Sequence, residues 1–165
     1  MKSSDHLSRL KPEELEQTNR LCRQFILASI VYFFVGSLLG VLRLLGWSAI
    51  PPFIHLHLNF FGWISMMIFG VGYKLLPNYA GKMVIYSLTM ARIQFWFANL
   101  GFIGMLCFYA LWSVAGSHVA FALTILGAAT VIASIALFGL NVWLTFRPEV
   151  SPAESQSLHR KGGQE

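Results

Sequence analysis

Four long apolar runs, separated by short polar or turn-forming segments, set the pattern of this chain. Residues 25–46 (FILASIVYFFVGSLLGVLRLLG) contain a single charge, Arg43, near the far end. Residues 53–76 form a second run that begins at "FIHLH" and closes at Pro77. From Ile93 to Phe146 only His118 interrupts an uncharged stretch long enough for two crossings. A helix needs about 20 apolar residues to cross a hydrocarbon core, and each run supplies them. The break in the last stretch falls at "SVAGSHVA", where Ala115-Gly116-Ser117-His118 offers small and polar residues for a tight turn. The spacing predicts four membrane helices, at about 24–46, 53–77, 90–113 and 118–146.

Charge is concentrated outside these runs. Residues 1–23 form a polar arm, expected to be helical from residue 12, where Pro12 suits a first helical position and Glu13 and Glu14 suit the positive end of the helix dipole. Residues 147–165 form a polar tail expected to be disordered after Pro148. The fold class that follows is an all-α membrane protein: N-terminal arm 1–23, four-helix domain 24–146 and tail 147–165. Composition agrees, with 56% hydrophobic residues, 12% charged residues and a mean hydropathy of +0.61. The formal net charge of +5 reads as flanking charge that orients the chain, with no basic stripe to serve a nucleic acid. Lys74, Lys82 and Arg92 flank or occupy the loop between the second and third runs, while "WSAIPP" and "AGSH" carry no Lys or Arg. The positive-inside rule then places both termini in the cytoplasm of a multi-pass protein of the bacterial inner (plasma) membrane. The mixed-charge arm is not a signal peptide, and the first span is expected to remain in the mature protein. Cys22 and Cys107 make no C-x-x-C or C-x-x-C-H pattern, which excludes covalent heme attachment and zinc fingers.

His55 and His57 stand at the mouth of the second run, on the same side of the membrane as His118. Successive helical residues rotate by about 100°, so positions i and i+2 point about 200° apart. The two imidazoles cannot chelate one ion from a helix, and a lone strand cannot cross a membrane with its backbone unsatisfied. If both are ligands, they serve two different cofactors or two copies of one. At 3.6 residues per turn His55 aligns with Asn59, Gly62 and Met66, and His57 with Phe61, Ile64 and Ser65. Gly62 below a ligand would let a flat macrocycle approach the backbone. Heme iron fits an apolar, aromatic-rich surface with imidazole ligands. Bare zinc or copper fits less well, because the spans hold no Asp or Glu to complete a set. The alternative is a pair of hydrated histidines at headgroup level.

The order of motifs resembles the first helices of subunit I of the heme-copper oxidase superfamily. "VYFFVGSLLGVLRLLGW" is similar to that family's glycine-rich helix I with its Leu-Arg step. "HLHLNFFGWISMMIFGVGYKLLPNYAGK" resembles helix II, whose histidine binds the low-spin heme, and "SLTMARIQFWFANLGFIGML" resembles the lead into helix III. The resemblance covers about residues 25–110. The family's His-Pro-Glu-Val-type helix and His-His pair do not occur; "RPEV" at 147–150 lacks the histidine. The resemblance therefore implies non-covalent heme b, no copper, and no oxygen reduction by the family mechanism. Family subunit I is built of three four-helix arcs about a pseudo-threefold axis, and this chain is similar to one arc. What the resemblance implies is a homo-oligomeric ring, a trimer with one heme at each interface, held by His55 of one protomer and His57 of the next.

Several further residues keep two readings. Arg43 is a snorkelling anchor or, as the resemblance favours, a partner for a heme propionate. His118 is a solvated turn residue, a hydrogen-bond partner of a ligand, or a third ligand. Arg92 reads as an interfacial anchor, and Gly36-x-x-x-Gly40 as a close-packing motif. Asn59, Gln94, Asn99 and Asn141 read as glue between helices or as a polar relay. The function expected is bis-histidine electron transfer with an unknown redox partner in the lipid bilayer. The alternatives are a heme enzyme or sensor that binds or reduces nitric oxide or oxygen, and an accessory subunit of a respiratory oxidase.

Overall fold

A computed structural model describes residues 2–47 and 51–148, with side chains from residue 12 onward. The tail expected after Pro148 lies outside the described residues. Four helices account for nearly all of the structure: α1 (Lys2–Leu44), α2 (Pro52–Tyr79), α3 (Leu88–Ala115) and α4 (His118–Phe146). All four are long and apolar enough to cross a membrane, α1 over its Pro12–Leu44 portion. Their large apolar side chains face outward in number, among them Phe34, Phe60, Leu100 and Ile132. In a bilayer that is the expected dressing, because lipid tails solvate such side chains as well as a core does.

Local chemistry explains each boundary. Pro51 and Pro52 open α2, where a missing N–H costs nothing in the first turn. Ser87 caps α3 by accepting from the Met90 amide at 3.2 Å. α3 ends at Ala115 because Gly116 turns into the left-handed region at φ 63°, and Ser117 at once caps α4. The four residues read as a turn in the sequence thus perform a C-cap, an N-cap and a helix start. The first helix differs from expectation at its beginning. It continues N-terminally past Pro12 to Lys2, leaving the Ser8 carbonyl without its usual helical donor.

Packing is organised as two helical hairpins. α3 and α4 touch along most of their length, and α1 runs beside α2. Small residues permit the α3–α4 approach: a Cβ on Gly127 would stand 2.7 Å from the Met105 amide nitrogen and 2.9 Å from the Gly101 carbonyl oxygen. Between the hairpins lies an aromatic core in which Phe25 meets Phe69 and Phe95 edge to face, at 5.9 and 4.9 Å. Asn141, fully buried on α4, fastens the 80–87 loop by accepting from the Ser87 amide (3.0 Å) and donating to the Ser87 carbonyl (2.9 Å). Thr145 accepts from the Tyr86 amide beside it.

Lys82 donates to the Arg147 carbonyl, Arg92 to Gln17 and Lys74 to Asn19, so the α2–α3 loop, the polar start of α1 and the end of α4 gather at one end. The three histidines His55, His57 and His118 belong to the other end.

Gly127→Ala forces backbone apart and should cost about 1–3 kcal/mol. Gly139→Ala meets nothing within 4 Å, and Gly104→Ala meets only Phe108 at 3.9 Å, so both should be neutral or mildly stabilising. Thermal unfolding of the three variants in detergent, followed by circular dichroism, checks the ranking.

Candidate functional site

The second helix brings both histidines to its first two turns and aims them at different neighbours. His55 turns toward α1, where its Nδ1 lies 2.7 Å from the Gly36 carbonyl oxygen. The contacts of His57 stay within α2. Its Nδ1 lies 2.9 Å from the Phe53 carbonyl oxygen, and its ring lies 3.8 Å from the Phe53 ring. Phe53 in turn stacks on Tyr109 of α3 at 4.1 Å. The two imidazoles thus have separate sets of neighbours, His55 across to α1 and His57 within α2.

These contacts fix the chemistry of each ring. A carbonyl oxygen only accepts, so Nδ1 must carry the proton in both imidazoles, and a neutral ring then keeps its lone pair on Nε2. Asn59 Nδ2 also approaches His55 Nδ1, at 3.3 Å, but that is donor against donor. The shorter Gly36 contact decides the tautomer, and the Asn59 amide donates instead to the His55 carbonyl at 2.9 Å. Among the described residues neither Nε2 has a protein partner. Holding the distal nitrogen by a backbone carbonyl is how proteins orient a metal-binding imidazole.

The glycines of α1 make room for this arrangement. A Cβ on Gly40 would lie 2.6 Å from His55 Cε1, and one on Gly36 would lie 2.8 Å from Asn59 Nδ2. The GxxxG pattern read as simple helix packing therefore also seats an imidazole. Arg43 follows one turn beyond Gly40, which puts it on the His55 side of α1, half-buried and already engaged in interactions.

Directly below the histidines, residues Leu58–Ser65 are wound as a π-helix, in which the Met66 amide reaches the Phe61 carbonyl five residues back. The Asn59 side chain competes for the His55 carbonyl where this begins, and a side-chain donor entering the ladder is a recognised cause of local unwinding. Wide turns of this kind occur frequently at functional sites. The π-turn was not foreseen in the sequence, whose period in this run reads as an ordinary apolar helix.

Its effect falls on Gly62. Instead of standing open below His55, Gly62 faces Tyr32 of α1 and Phe102 of α3, whose atoms a Cβ would meet at 2.7 and 3.0 Å. Its missing side chain serves a three-helix contact. Phe61 likewise turns into the core and packs on Phe102 at 5.0 Å. The aromatic surfaces beside the histidines come from other residues: Phe33 against Trp63 at 4.1 Å on the α1–α2 side, and Phe53, Tyr109 and Trp112 on the α2–α3 side. Phe53 carried a signal in its i, i+4 spacing to His57, whereas Tyr109 required the fold.

His118 stands exposed on the first turn of α4, with no hydrogen bond to either histidine. Among the described residues no three His, Cys, Asp or Glu side chains converge as a metal site. The buried amides divide. Asn99 accepts from the Tyr32 hydroxyl at 2.8 Å, Asn59 and Asn141 are engaged as described, and Gln94 is fully buried with no protein partner for its amide atoms.

No protein-family model matches the chain, and no solved structure matches it. A search of curated proteins finds a distant relative, the Cbb3-type cytochrome c oxidase subunit CcoN1 of Stutzerimonas stutzeri, 24% identical over 123 residues. The match takes in 61% of this chain but 26% of the relative, so the chain spans about a quarter of that protein's length. A distant relationship to heme-copper oxidase subunit I is therefore supported. With four apolar helices, it identifies a multi-pass membrane protein.

Gly40→Ala should push the His55 ring aside and break its bond to Gly36 while leaving His57 in place. Side-chain nitrogen NMR of the purified protein should show both histidines of the parent protonated at Nδ1, and only the His55 signals should change in the variant.

Proposed function

We propose that this chain is a membrane b-type hemoprotein that passes electrons, with His55 and His57 as axial ligands of two different hemes. The observation that carries this reading is the pair of Nδ1–H bonds to backbone carbonyls. Each bond leaves an Nε2 lone pair for iron, on opposed sides of α2. The donor set suits heme more than a bare ion, because among the described residues no three His, Cys, Asp or Glu side chains converge. The relative is a cytochrome c oxidase subunit, which supports heme as the cofactor class. When bound, heme would supply one-electron redox chemistry at a potential set by its axial ligands and surroundings.

The chain's own residues then have defined tasks. The Gly36 and Phe53 carbonyls hold the imidazole orientation and raise ligand basicity through the Nδ1 proton. Phe33 and Trp63 on one side, and Phe53 and Tyr109 on the other, offer flat apolar surface and exclude water. Arg43, one turn from Gly40, supplies a cation for a propionate. Because one chain offers one imidazole to each side, the full ligand set comes from a neighbour. Three copies closing head to tail would match the three-arc plan of the resembling family. The positive-inside rule places both termini in the cytoplasm and the hemes near the outer face.

Purified protein should show one heme per chain, a low-spin bis-histidine spectrum and the mass of a trimer. His55→Ala and His57→Ala should each remove most of the heme, and carbon monoxide should leave the reduced spectrum unchanged. A monomer that keeps full heme would sink the interface assignment. A carbon monoxide response would move the reading to a gas-binding enzyme or sensor, and protein without heme would leave an accessory subunit.

A further inference from the structure

The polar end of the bundle carries a cleft that the heme reading does not use. Gln17, Arg20, Leu21 and Gln24 of α1 face Arg92, Phe95 and Trp96 of α3 across a space of about 350 Å³. Its lining holds two guanidinium groups and no carboxylate. Arg92 is steadied by donating to Gln17 Oε1 at 2.9 Å, a neutral acceptor that leaves its charge uncompensated. Arg20 has no carboxylate partner among the described residues, although Glu16 lies one turn away outside the lining.

Below the cleft the exposed faces of α1 and α3 change character. Along α1 the stripe that carries Arg20 and Gln24 continues through Leu27 and Val31 to Val35, all exposed. Along α3 the stripe of Arg92 and Trp96 continues through Leu100 to Ile103, also exposed. A pair of cations above exposed apolar stripes, with an indole at the junction, is the profile of a site for one molecule with an anionic head and hydrocarbon tails.

We propose that this cleft binds the phosphodiester head of an anionic phospholipid, with Arg20 and Arg92 on the phosphate oxygens and the acyl chains laid along the apolar stripes of α1 and α3. Charge-assisted bonds from guanidinium to phosphate are stronger and more directional than those from ammonium, and two arginines facing each other can share one phosphate. A free phosphate would use the head contacts alone. The apolar stripes argue for the lipid.

The test is thermal stability and native mass spectrometry of the delipidated full-length protein in detergent. It is titrated with phosphatidylglycerol, phosphatidylcholine or inorganic phosphate. Phosphatidylglycerol should bind and raise the melting temperature, and phosphatidylcholine should not. Inorganic phosphate should have no effect at matched concentration. Arg20→Gln and Arg92→Gln should each weaken phosphatidylglycerol binding by about fivefold to tenfold, and the double variant should lose it. Arg23→Gln removes the same charge from the same helix outside the lining and should bind as the parent does. Circular dichroism and gel filtration confirm that each variant is folded. Equal binding of phosphatidylcholine, equal loss in Arg23→Gln, or undiminished binding by the double variant would overturn the site. Stabilisation by phosphate equal to that by the lipid would overturn the lipid as its source. None of these readouts depends on heme.

Discussion

The bond from His55 to the Gly36 carbonyl demands that α1 and α2 approach more closely than any side chain on Gly36 or Gly40 would allow. In a bilayer, helices gain little from hiding apolar surface from one another, so small residues and interhelical hydrogen bonds determine which faces meet. Here both act at one contact. Once it is made, the His55 ring has one orientation and one tautomer, and Asn59 is left to reach the His55 carbonyl. The α-ladder gives way at that carbonyl, and the π-turn that follows delivers Phe61 and Gly62 to Tyr32 and Phe102. The interior of the bundle near the histidines is thus arranged from one glycine carbonyl outward.

The two ends of the bundle are held by different means. At the polar end Asn141 and Thr145 clip the α2–α3 loop with their side chains, satisfying backbone groups that the loop would otherwise leave open. Near the histidines, aromatic rings carry the contacts: Phe53 between His57 and Tyr109, and Trp112 between Tyr109 and Phe121. A polar clip sets a loop but offers no flat surface. A ring ledge offers flat surface and keeps water out, which suits a macrocycle and does not suit an ion in need of charge.

Some of this was legible in the chain before any coordinates. Hydropathy alone locates the four spans, because a lipid-facing helix must be apolar nearly all round. Ala115 to His118 could be read as a turn because glycine and serine have defined uses at helix ends. The opposed imidazoles followed from the helical rotation angle. What could not be read depends on partners distant in sequence. The Gly62 position looked like an opening below a ligand, but Tyr32 and Phe102 arrive there from two other helices. The π-turn leaves little mark in a mostly apolar run, since Asn59 alone does not say that its amide will take the His55 carbonyl from the backbone ladder. Pro12 illustrates the reverse failure, a residue with a good local reason to start a helix that sits inside one.

If the chain shares hemes between copies as proposed, the separation of the two imidazoles would have a consequence for assembly that does not depend on the number of copies. Within one chain the surroundings of the two imidazoles differ, Gly36 and Gly40 of α1 around His55 against Phe53, itself stacked on Tyr109, beside His57. In a twofold contact residue i meets residue j and j meets i, so pairing His55 with His57 across it would need both rings on one patch, which positions rotated about 200° apart on α2 do not readily offer. Under the proposed sharing of hemes, a head-to-tail contact would join a His55 to a His57 from opposite faces and would use every ring when the chain of contacts closes. In a membrane all copies share one orientation about the normal, so the natural closure is a cyclic ring. Three is the count suggested by the arcs of the resembling family. If the hemes are shared between copies as proposed, the unlike half-sites would call for a directional interface, with the His55 seat of one protomer set against the aromatic ledge around His57 of the next.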